Sequence, residues 1–210
     1  MEKQNYQLEL EKLLDSIQGT TPALLLHSCC APCSSYVIEY LSKFFELTIF
    51  YYNPNITDLG EYQKRVAEQQ RLLTEMKTVH PIHFLEGRYH PEQFYEMSRG
   101  KEQLPEGGVR CYSCYEMRLR ETARMAKEQG FDFFGTTLSV SPYKNAQKLN
   151  EIGGRLASEY GIPYLFSDFK KKNGYKRSIE LSTLYGLYRQ DYCGCEFSKQ
   201  QRAQQKENAG

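Results

Sequence analysis

Hydrophobic positions along the chain follow two alternating patterns. Short, nearly continuous apolar runs, which are typical of buried parallel strands, occur at residues 23–26, 47–52, 82–85, 131–136 and 163–166. Around and between them, apolar residues recur at helical spacing and predict helices at residues 5–18, 34–45, 58–79, 91–97, 116–129, 145–160 and 178–188. Strands that alternate with helices predict an α/β fold with a mostly parallel, doubly wound sheet and a C-terminal helical segment.

The length of the chain fits one catalytic domain. With 210 residues, of which 40% are hydrophobic, the chain can bury one substantial core. We expect a single α/β domain over residues 1–198, which includes the predicted N-terminal helix at residues 5–18. Residues 199–210 are mostly polar and predict a disordered tail.

Charge and cysteine content narrow the possible functions. The formal net charge is only +1, so any polyanion would have to be bound by local patches. No apolar run approaches the length of a membrane span, and the first residues lack the pattern of a signal peptide. These features predict a cytoplasmic protein with no membrane partner. Because cytoplasmic thiols stay reduced, the seven cysteines indicate metal binding or redox catalysis rather than structural disulfides.

Two groups of cysteines lie next to predicted helices. Cys29, Cys30 and Cys33 follow the first predicted strand, in the kind of turn where open α/β sheets bind ligands, and Cys111 and Cys114 precede a later helix. The two C-x-x-C pairs fit a zinc site with four cysteine ligands, and the first pair also fits a thioredoxin-like dithiol. Neither explanation uses Cys29, which is too close to Cys30 for a relaxed disulfide. Four or five thiolates with no histidine at zinc-finger spacing favour an iron-sulfur centre over zinc.

Two observations argue against other functions for the turn after the first predicted strand. Residues 27–35 contain no glycine, which disfavours a phosphate-binding turn and nucleotide hydrolysis. His27 is predicted to be a hydrogen-bonded polar residue at the end of the strand rather than a ligand.

The last two cysteines differ in spacing from the others. Cys193 and Cys195 are separated only by Gly194, so they can form a small, strained disulfide of the readily reduced kind. This predicts a dithiol that cycles between reduced and oxidised states. The alternative is a pair of incidental cysteines, because a free cysteine is often just a small buried hydrophobe.

Several segments together resemble a known family. They cover residues 26–33 (LHSCCAPC), 52–56 (YNPNI), 110–119 (RCYSCYEMRL), 136–144 (TTLSVSPYK) and 192–195 (YCGC). In this order they are similar to the QueH family of epoxyqueuosine reductases, and the resemblance extends from about residue 23 to residue 198.

The resemblance implies a fold, a reaction and a cofactor. The fold would be related to the adenine-nucleotide α-hydrolase and PP-loop (HUP-type) group. The reaction would be the reduction of the epoxide of epoxyqueuosine, at the wobble position of tRNA, to give queuosine with loss of water. A 4Fe-4S cluster is implied, and the family's cluster ligands fall on Cys29, Cys30, Cys111 and Cys114. The family's redox-active pair falls on Cys193 and Cys195. The implied partners are tRNA that carries epoxyqueuosine in its anticodon and an electron donor that the sequence does not identify.

Cys33 has no place in that assignment. It would lie one helical turn from Cys30 and could hold a second metal, an additional iron ion, beside the cluster. The alternative is a plain residue at the start of a helix. We expect the cluster, or a metal near Cys33, to polarise the epoxide oxygen while the Cys193 and Cys195 dithiol supplies reducing equivalents or protons.

Basic residues near two predicted turns are candidates for tRNA contacts, with tyrosines that could stack on splayed bases. The first set is Lys170, Lys171, Lys172, Lys176 and Arg177, and the second is Tyr143, Lys144 and Lys148. The alternative is that these charges are only solvated. Two other classes of protein also fit the sequence, namely a zinc-stabilised RNA-binding module and a thiol or sulfur-transfer enzyme on the same fold.

Overall fold

A four-stranded parallel sheet forms the centre of the fold. The computed structural model describes residues 4–207. Its strands are β1 (Ala23–His27), β2 (Glu46–Tyr51), β3 (Ile82–Glu86) and β4 (Phe133–Thr136), in the order β3-β2-β1-β4. The second and third strands add on one side of β1 and the fourth on the other, so the strand order reverses at β1. Doubly wound sheets bind ligands at such a reversal.

Helices cover both faces of this sheet. They are α1 (Tyr6–Ser16), α2 (Ala31–Leu41), α3 (Leu59–Glu75), α4 (Pro91–Ser98), α5 (Val109–Glu128), α6 (Ala146–Tyr160), α7 (Gly174–Leu184) and α8 (Glu196–Glu207). Leu24 and Leu26 pack into a core formed with α1, α2 and α3, whereas Leu25 packs into a core formed with α5 and α6. The alternation confirms the doubly wound α/β prediction. None of these helices within residues 4–207 is long and apolar enough to cross a membrane.

Side chains at the helix ends explain why several predicted boundaries agree with the structure. Asn5, Asp58 and Asn145 accept capping hydrogen bonds from backbone N–H groups at the start of α1, α3 and α6. Gly161 ends α6 with a φ of 63°, in the left-handed conformation that favours glycine.

The helices that carry cysteines begin earlier than predicted. The second helix starts at Ala31 rather than residue 34, with Pro32 in its first turn, where a fixed φ favours a helix start. The fifth helix starts at Val109 rather than residue 116, after Gly108 as its N-cap residue. Cys33 and the pair Cys111 and Cys114 therefore lie inside helical turns, not in the loops before them.

Three predictions for the C-terminal part need correction. Residues 163–166 are not a strand, because only an isolated bridge joins Tyr164 to Phe134. The seventh helix covers Gly174–Leu184 instead of residues 178–188. The polar segment expected to be a disordered tail forms α8 as far as Glu207, anchored by Phe197 against Phe94. Residues 208–210 lie outside the described residues.

Candidate metal and redox site

The turn between β1 and α2 is held to the sheet by hydrogen bonds from two other elements. The hydroxyl of Ser28 donates to Gln69 Oε1 of α3 at 2.9 Å. Just after β2, the amide of Asn53 donates to the Ser28 carbonyl at 2.8 Å. The Tyr51 hydroxyl, at the end of β2, donates to the Cys29 carbonyl at 3.3 Å. The backbone at this turn is therefore fixed independently of any ligand.

Three thiols meet at this turn. The sulfur atoms of Cys29, Cys30 and Cys33 all lie within 4.8 Å of one another, and the sulfur atoms of Cys29 and Cys30 are 3.8 Å apart. Two sulfur ligands of one tetrahedral ion, each about 2.3 Å from the metal, are themselves about 3.8 Å apart. The pair thus has the spacing that a shared metal ion needs, and Cys33 belongs to the same group.

The pKa values of these three thiols differ in direction from the ordinary value. The thiols of Cys29 and Cys33 face the Cys30 sulfur, which holds the pKa of Cys30 well below its ordinary value despite burial. The same contacts raise the pKa of Cys29 and of Cys33. Cys30 is also the N-cap residue of α2, and its side chain makes no capping hydrogen bond. The arrangement favours the thiolate at Cys30 over the other two thiols, and the thiolate is the form that binds metal.

His27 is a structural residue, as predicted. Its Nδ1 lies 3.1 Å from the Thr136 hydroxyl and its Nε2 lies 3.1 Å from the Tyr52 carbonyl. Burial, with the charge of Arg118, lowers the pKa of His27 to about 3. The ring is neutral, and both of its nitrogens already have partners.

Cys111 and Cys114 lie in the first turns of α5. The sulfur of Cys111 accepts a hydrogen bond from the Gly107 N–H at 3.2 Å. Cys114 is buried, and burial raises its pKa to about 11. The loop before the helix is held by Arg110, whose Nη1 donates to the carbonyls of Lys101, Glu102 and Leu104.

Cys193 and Cys195 lie in the loop between α7 and α8. Both are free thiols, and the Cys193 N–H donates to the Ser198 hydroxyl at 3.1 Å. Gly194 between them has a φ of 114°, and a Cβ at this position would approach Ile56 to 2.9 Å. Only glycine fits this conformation without strain.

Two adjoining cavities bring the cysteine groups together. The larger, with a volume of about 130 Å³, is lined by Cys29, Cys30, Cys33 and Cys193. The smaller, of about 10 Å³, is lined by Cys111, Cys114, Cys193 and Cys195. Both are also lined by Glu106, Arg118 and Lys144. All seven cysteines of the chain therefore line one of two cavities that share a wall. The four predicted cluster ligands are divided between the two cavities.

Arg118 is a buried cation in this shared wall. Its Nε donates to the Cys114 carbonyl at 3.2 Å, and its Nη2 has no hydrogen-bond partner. No carboxylate of residues 4–207 forms an ion pair with it, while its charge faces the sulfurs of Cys114, Cys193 and Cys29. A buried, unpaired guanidinium costs free energy unless nearby anions compensate it. Thiolates around a bound metal would supply this compensation, so the residues present fit a thiolate-ligated metal centre. Arg118 was not among the residues predicted from the sequence, although its position one helical turn after Cys114 is a usable signal.

Lys144, a predicted candidate for tRNA contact, is mostly buried beside a thiol and a carboxylate. Its Nζ lies 3.2 Å from the Cys193 sulfur and 3.6 Å from Glu106 Oε1, and its side chain is 9% exposed. Burial alone would raise the pKa of Cys193, but the charges of Lys144 and Arg118 outweigh burial and lower it. Burial, with the neighbouring Cys193, raises the pKa of Cys195 to about 12. The two thiols of the pair are thus electrostatically unequal.

Most other basic residues of the predicted tRNA patches are paired with acidic side chains. The pairs are Lys148 with Glu151, Lys170 with Asp168, Lys172 with Glu11, and Arg177 with Glu39 and Glu180. Lys171 and Lys176 are exposed. Tyr143 is 65% exposed, lines the larger cavity, and has the Arg202 guanidinium 5.5 Å from its ring centroid. The rim of the cavity therefore carries an exposed aromatic ring beside a cation.

Comparisons with known proteins identify the family of this chain. A family model described as "Epoxyqueuosine reductase QueH" matches residues 24–201. The epoxyqueuosine reductase QueH of Staphylococcus epidermidis is 42% identical over 203 residues, which cover 94% of this chain and 85% of that protein. The protein of the same name from Streptococcus pyogenes is 44% identical over 183 residues, covering 86% of this chain and 72% of that protein. This chain therefore belongs to the QueH family of epoxyqueuosine reductases.

Proposed function

We propose that this protein is an epoxyqueuosine reductase that acts on tRNA carrying epoxyqueuosine in its anticodon. Family membership supports the reaction. The observation that carries the proposal is that all seven cysteines line two cavities with a common wall. Removal of an epoxide oxygen as water takes two electrons and two protons and leaves an alkene. The groups that supply the electrons and protons must lie close to the substrate. The thiols of the two cavities meet at their shared wall.

We assign a 4Fe-4S cluster to Cys29, Cys30, Cys111 and Cys114, and an additional iron ion to Cys33. The donor set supports this assignment, because it consists only of soft sulfur ligands. The unpaired charge of Arg118 also supports it, since that charge faces Cys29 and Cys114. When bound, such a cluster supplies electrons one at a time and an iron position that can polarise an oxygen atom.

Cys193 and Cys195 act as the two-electron store of the reaction. Oxidation of the dithiol to a disulfide releases two electrons, which together with two protons convert the epoxide to an alkene and one water molecule. An external electron donor then returns the disulfide to the dithiol. The position of Cys193 in the lining of both cavities supports this role.

The wobble nucleoside enters through the mouth of the larger cavity. Tyr143 and Arg202 lie at this mouth. Arg189 lines the same cavity and donates to the Ser182 hydroxyl at 2.9 Å, and within residues 4–207 neither arginine forms an ion pair. An exposed ring can stack on a splayed base, and arginines without acidic partners can bind phosphates. The lysine patch at residues 170–172 has less support, because acidic neighbours neutralise Lys170 and Lys172.

A turnover assay with the anaerobic protein tests the reaction. Epoxyqueuosine-containing tRNA and a chemical reductant are incubated with the enzyme, and the digested nucleosides are quantified by mass spectrometry. Cys193→Ser and Cys195→Ser should each abolish formation of queuosine and leave the iron absorption spectrum intact. Full activity in either variant would remove the dithiol from the reaction.

Metal analysis tests the cofactor separately. The anaerobic protein should be brown, contain iron and acid-labile sulfide, and bleach on addition of dithionite. A colourless protein that contains zinc would contradict the cluster and favour a zinc-stabilised RNA-binding module, since the 3.8 Å separation of the Cys29 and Cys30 sulfurs is that of two ligands of a single tetrahedral ion.

A further inference from the structure

The ammonium group of Lys144 lies in the wall between the two cavities. Its Nζ is 3.2 Å from the Cys193 sulfur and 3.6 Å from Glu106 Oε1. The side chains of Lys144 and Glu106 are only 9% and 25% exposed. In such a partly desolvated site a cation in contact with sulfur favours the thiolate over the thiol.

A ring of contacts fixes Cys193 in front of this lysine. The Cys193 N–H donates to the Ser198 hydroxyl at 3.1 Å, and that hydroxyl donates to Glu106 Oε2 at 3.0 Å. One carboxylate thus contacts both Lys144 and Ser198, which approach Cys193 from two different elements. These contacts keep the Cys193 sulfur next to the Lys144 ammonium group.

Cys195 has different surroundings. It is buried in an apolar cluster with Phe94, Cys114 and Phe197, and its sulfur accepts the Ser198 N–H at 3.4 Å. It lines only the smaller cavity, whereas Cys193 lines both. Of these two thiols, only Cys193 therefore combines contact with a cation and access from the larger cavity.

We propose that Lys144 is a positioning residue that makes Cys193 the reactive sulfur of the pair, with Cys195 as its buried partner. This inference rests on the proposed role of the dithiol and deepens it. In the reduced protein, Lys144 holds Cys193 as a thiolate facing the larger cavity, and Cys195 keeps its proton. On oxidation a bond forms between the two sulfurs, two electrons leave for the substrate, and Cys195 releases one proton. The second proton of the water product comes from solvent.

Alkylation of the reduced holoenzyme by iodoacetamide tests the proposal without tRNA or turnover. The Cys193 thiolate displaces iodide and forms a thioether, and peptide mass spectrometry reports the rate at each cysteine. Cys193 should react at least about tenfold faster than Cys195, because the thiolate is the nucleophile. Lys144→Met should slow the reaction of Cys193 by about tenfold, and Lys144→Arg should restore most of the rate.

Glu106→Gln separates the effect of charge from that of structure. This substitution breaks the same Lys144 to Glu106 contact but removes a negative charge beside Cys193, so alkylation of Cys193 should become faster. A purely structural role for Lys144 would change the rate in the same direction in both variants. Slower alkylation in Glu106→Gln, or an unchanged rate in Lys144→Met, would overturn the proposal.

A control substitution and the reduction potential of the pair test the proposal further. Lys199→Met removes an exposed lysine next to Ser198 and should leave alkylation of Cys193 unchanged.

Because Lys144 stabilises the reduced pair, Lys144→Met should make the reduction potential of the pair more negative by about 30 mV, which corresponds to a tenfold change in the equilibrium constant. If these results hold and queuosine is still not formed, the proposed function fails while the assignment of Lys144 stands.

Discussion

The turn between β1 and α2 and the loop between α7 and α8 both present cysteines to the same space, but they are built differently. The turn continues the sheet, because the Ser28 N–H donates to the Phe50 carbonyl of β2 at 3.0 Å, and it is also held by side chains. Near Cys193 the loop is held by the side chains of Arg65, Lys144 and Ser198, which contact the Cys193 carbonyl, sulfur and N–H respectively.

This difference matches two kinds of chemistry. Metal ligands work best on backbone that is fixed before the metal binds. A cycling dithiol must instead move its sulfurs between van der Waals separation and a bond of about 2.05 Å. A loop that is tied by side-chain contacts can follow this movement, whereas a turn fixed to the sheet cannot.

Replacing one cysteine in each region tests this division most strongly. Cys30→Ser should lose iron and therefore abolish turnover, because it removes one of the three sulfur ligands that lie together at this turn. Cys193→Ser should keep its iron and also lose turnover. Iron analysis of the two purified variants checks this prediction. Equal loss of iron from both would show that the two regions share one role.

The shared wall offers a second test of the same comparison. Arg118→Met should weaken metal retention by about 10–100-fold, the range usual for residues that support metal ligands without binding the metal. Arg118→Lys keeps the charge and should retain more iron. Competition with a chelator measures both variants. Metal retention equal to that of the unmodified protein in Arg118→Met would show that its charge does not serve the metal centre.

The conformation of the loop can be tested by two glycine substitutions. Gly186→Ala, at a φ of 55° with open space around it, should cost only backbone strain of about 1–2 kcal/mol. Gly194→Ala also drives a Cβ to 2.9 Å from Ile56, which adds an overpacking cost of about 1–3 kcal/mol. Denaturant unfolding under anaerobic conditions measures both free energies. Equal losses would mean that the loop simply moves aside, and the iron content should be unchanged in either case.

The smallest effects are expected on tRNA binding. Arg189→Ala with Arg202→Ala should reduce the slope of log affinity against log salt by about two, one for each phosphate that the variant no longer binds. Alanine at residues 170–172 should change this slope by less than about one, because two of those lysines are already paired. The reverse ranking would place the tRNA on the lysine patch and away from the loop between α7 and α8.

Local sequence signals were enough to predict most of the sheet. The first three strands agree with prediction to within one residue at each end, because their apolar runs are continuous and bounded by turn residues. The predicted strand at residues 163–166 fails because Pro163 and its neighbours form only one bridge, to Phe134. The helix α8 was missed because its anchoring residue, Phe197, packs on residues distant in sequence, which composition does not reveal.

The candidate site was predictable only in part. Cysteine spacing placed Cys33 one helical turn from Cys30, but it did not indicate that Cys193 would line both cavities with the other thiols. Lys144 and Glu106 are 38 positions apart, so their meeting beside Cys193 depends on the fold. A lysine between polar residues is normally expected at the surface, and only the tertiary structure shows that this one is buried against a thiol.

Cys30 has a further consequence as the N-cap residue of α2. Serine at an N-cap typically stabilises a helix by about 1 kcal/mol through its side-chain hydrogen bond, and cysteine here makes no such bond. A protein selected only for thermal stability would therefore carry serine at position 30. With cysteine at this position the helix start lacks that contribution to its stability. Cys30→Ser should therefore unfold no more easily at this helix than the unmodified protein without metal.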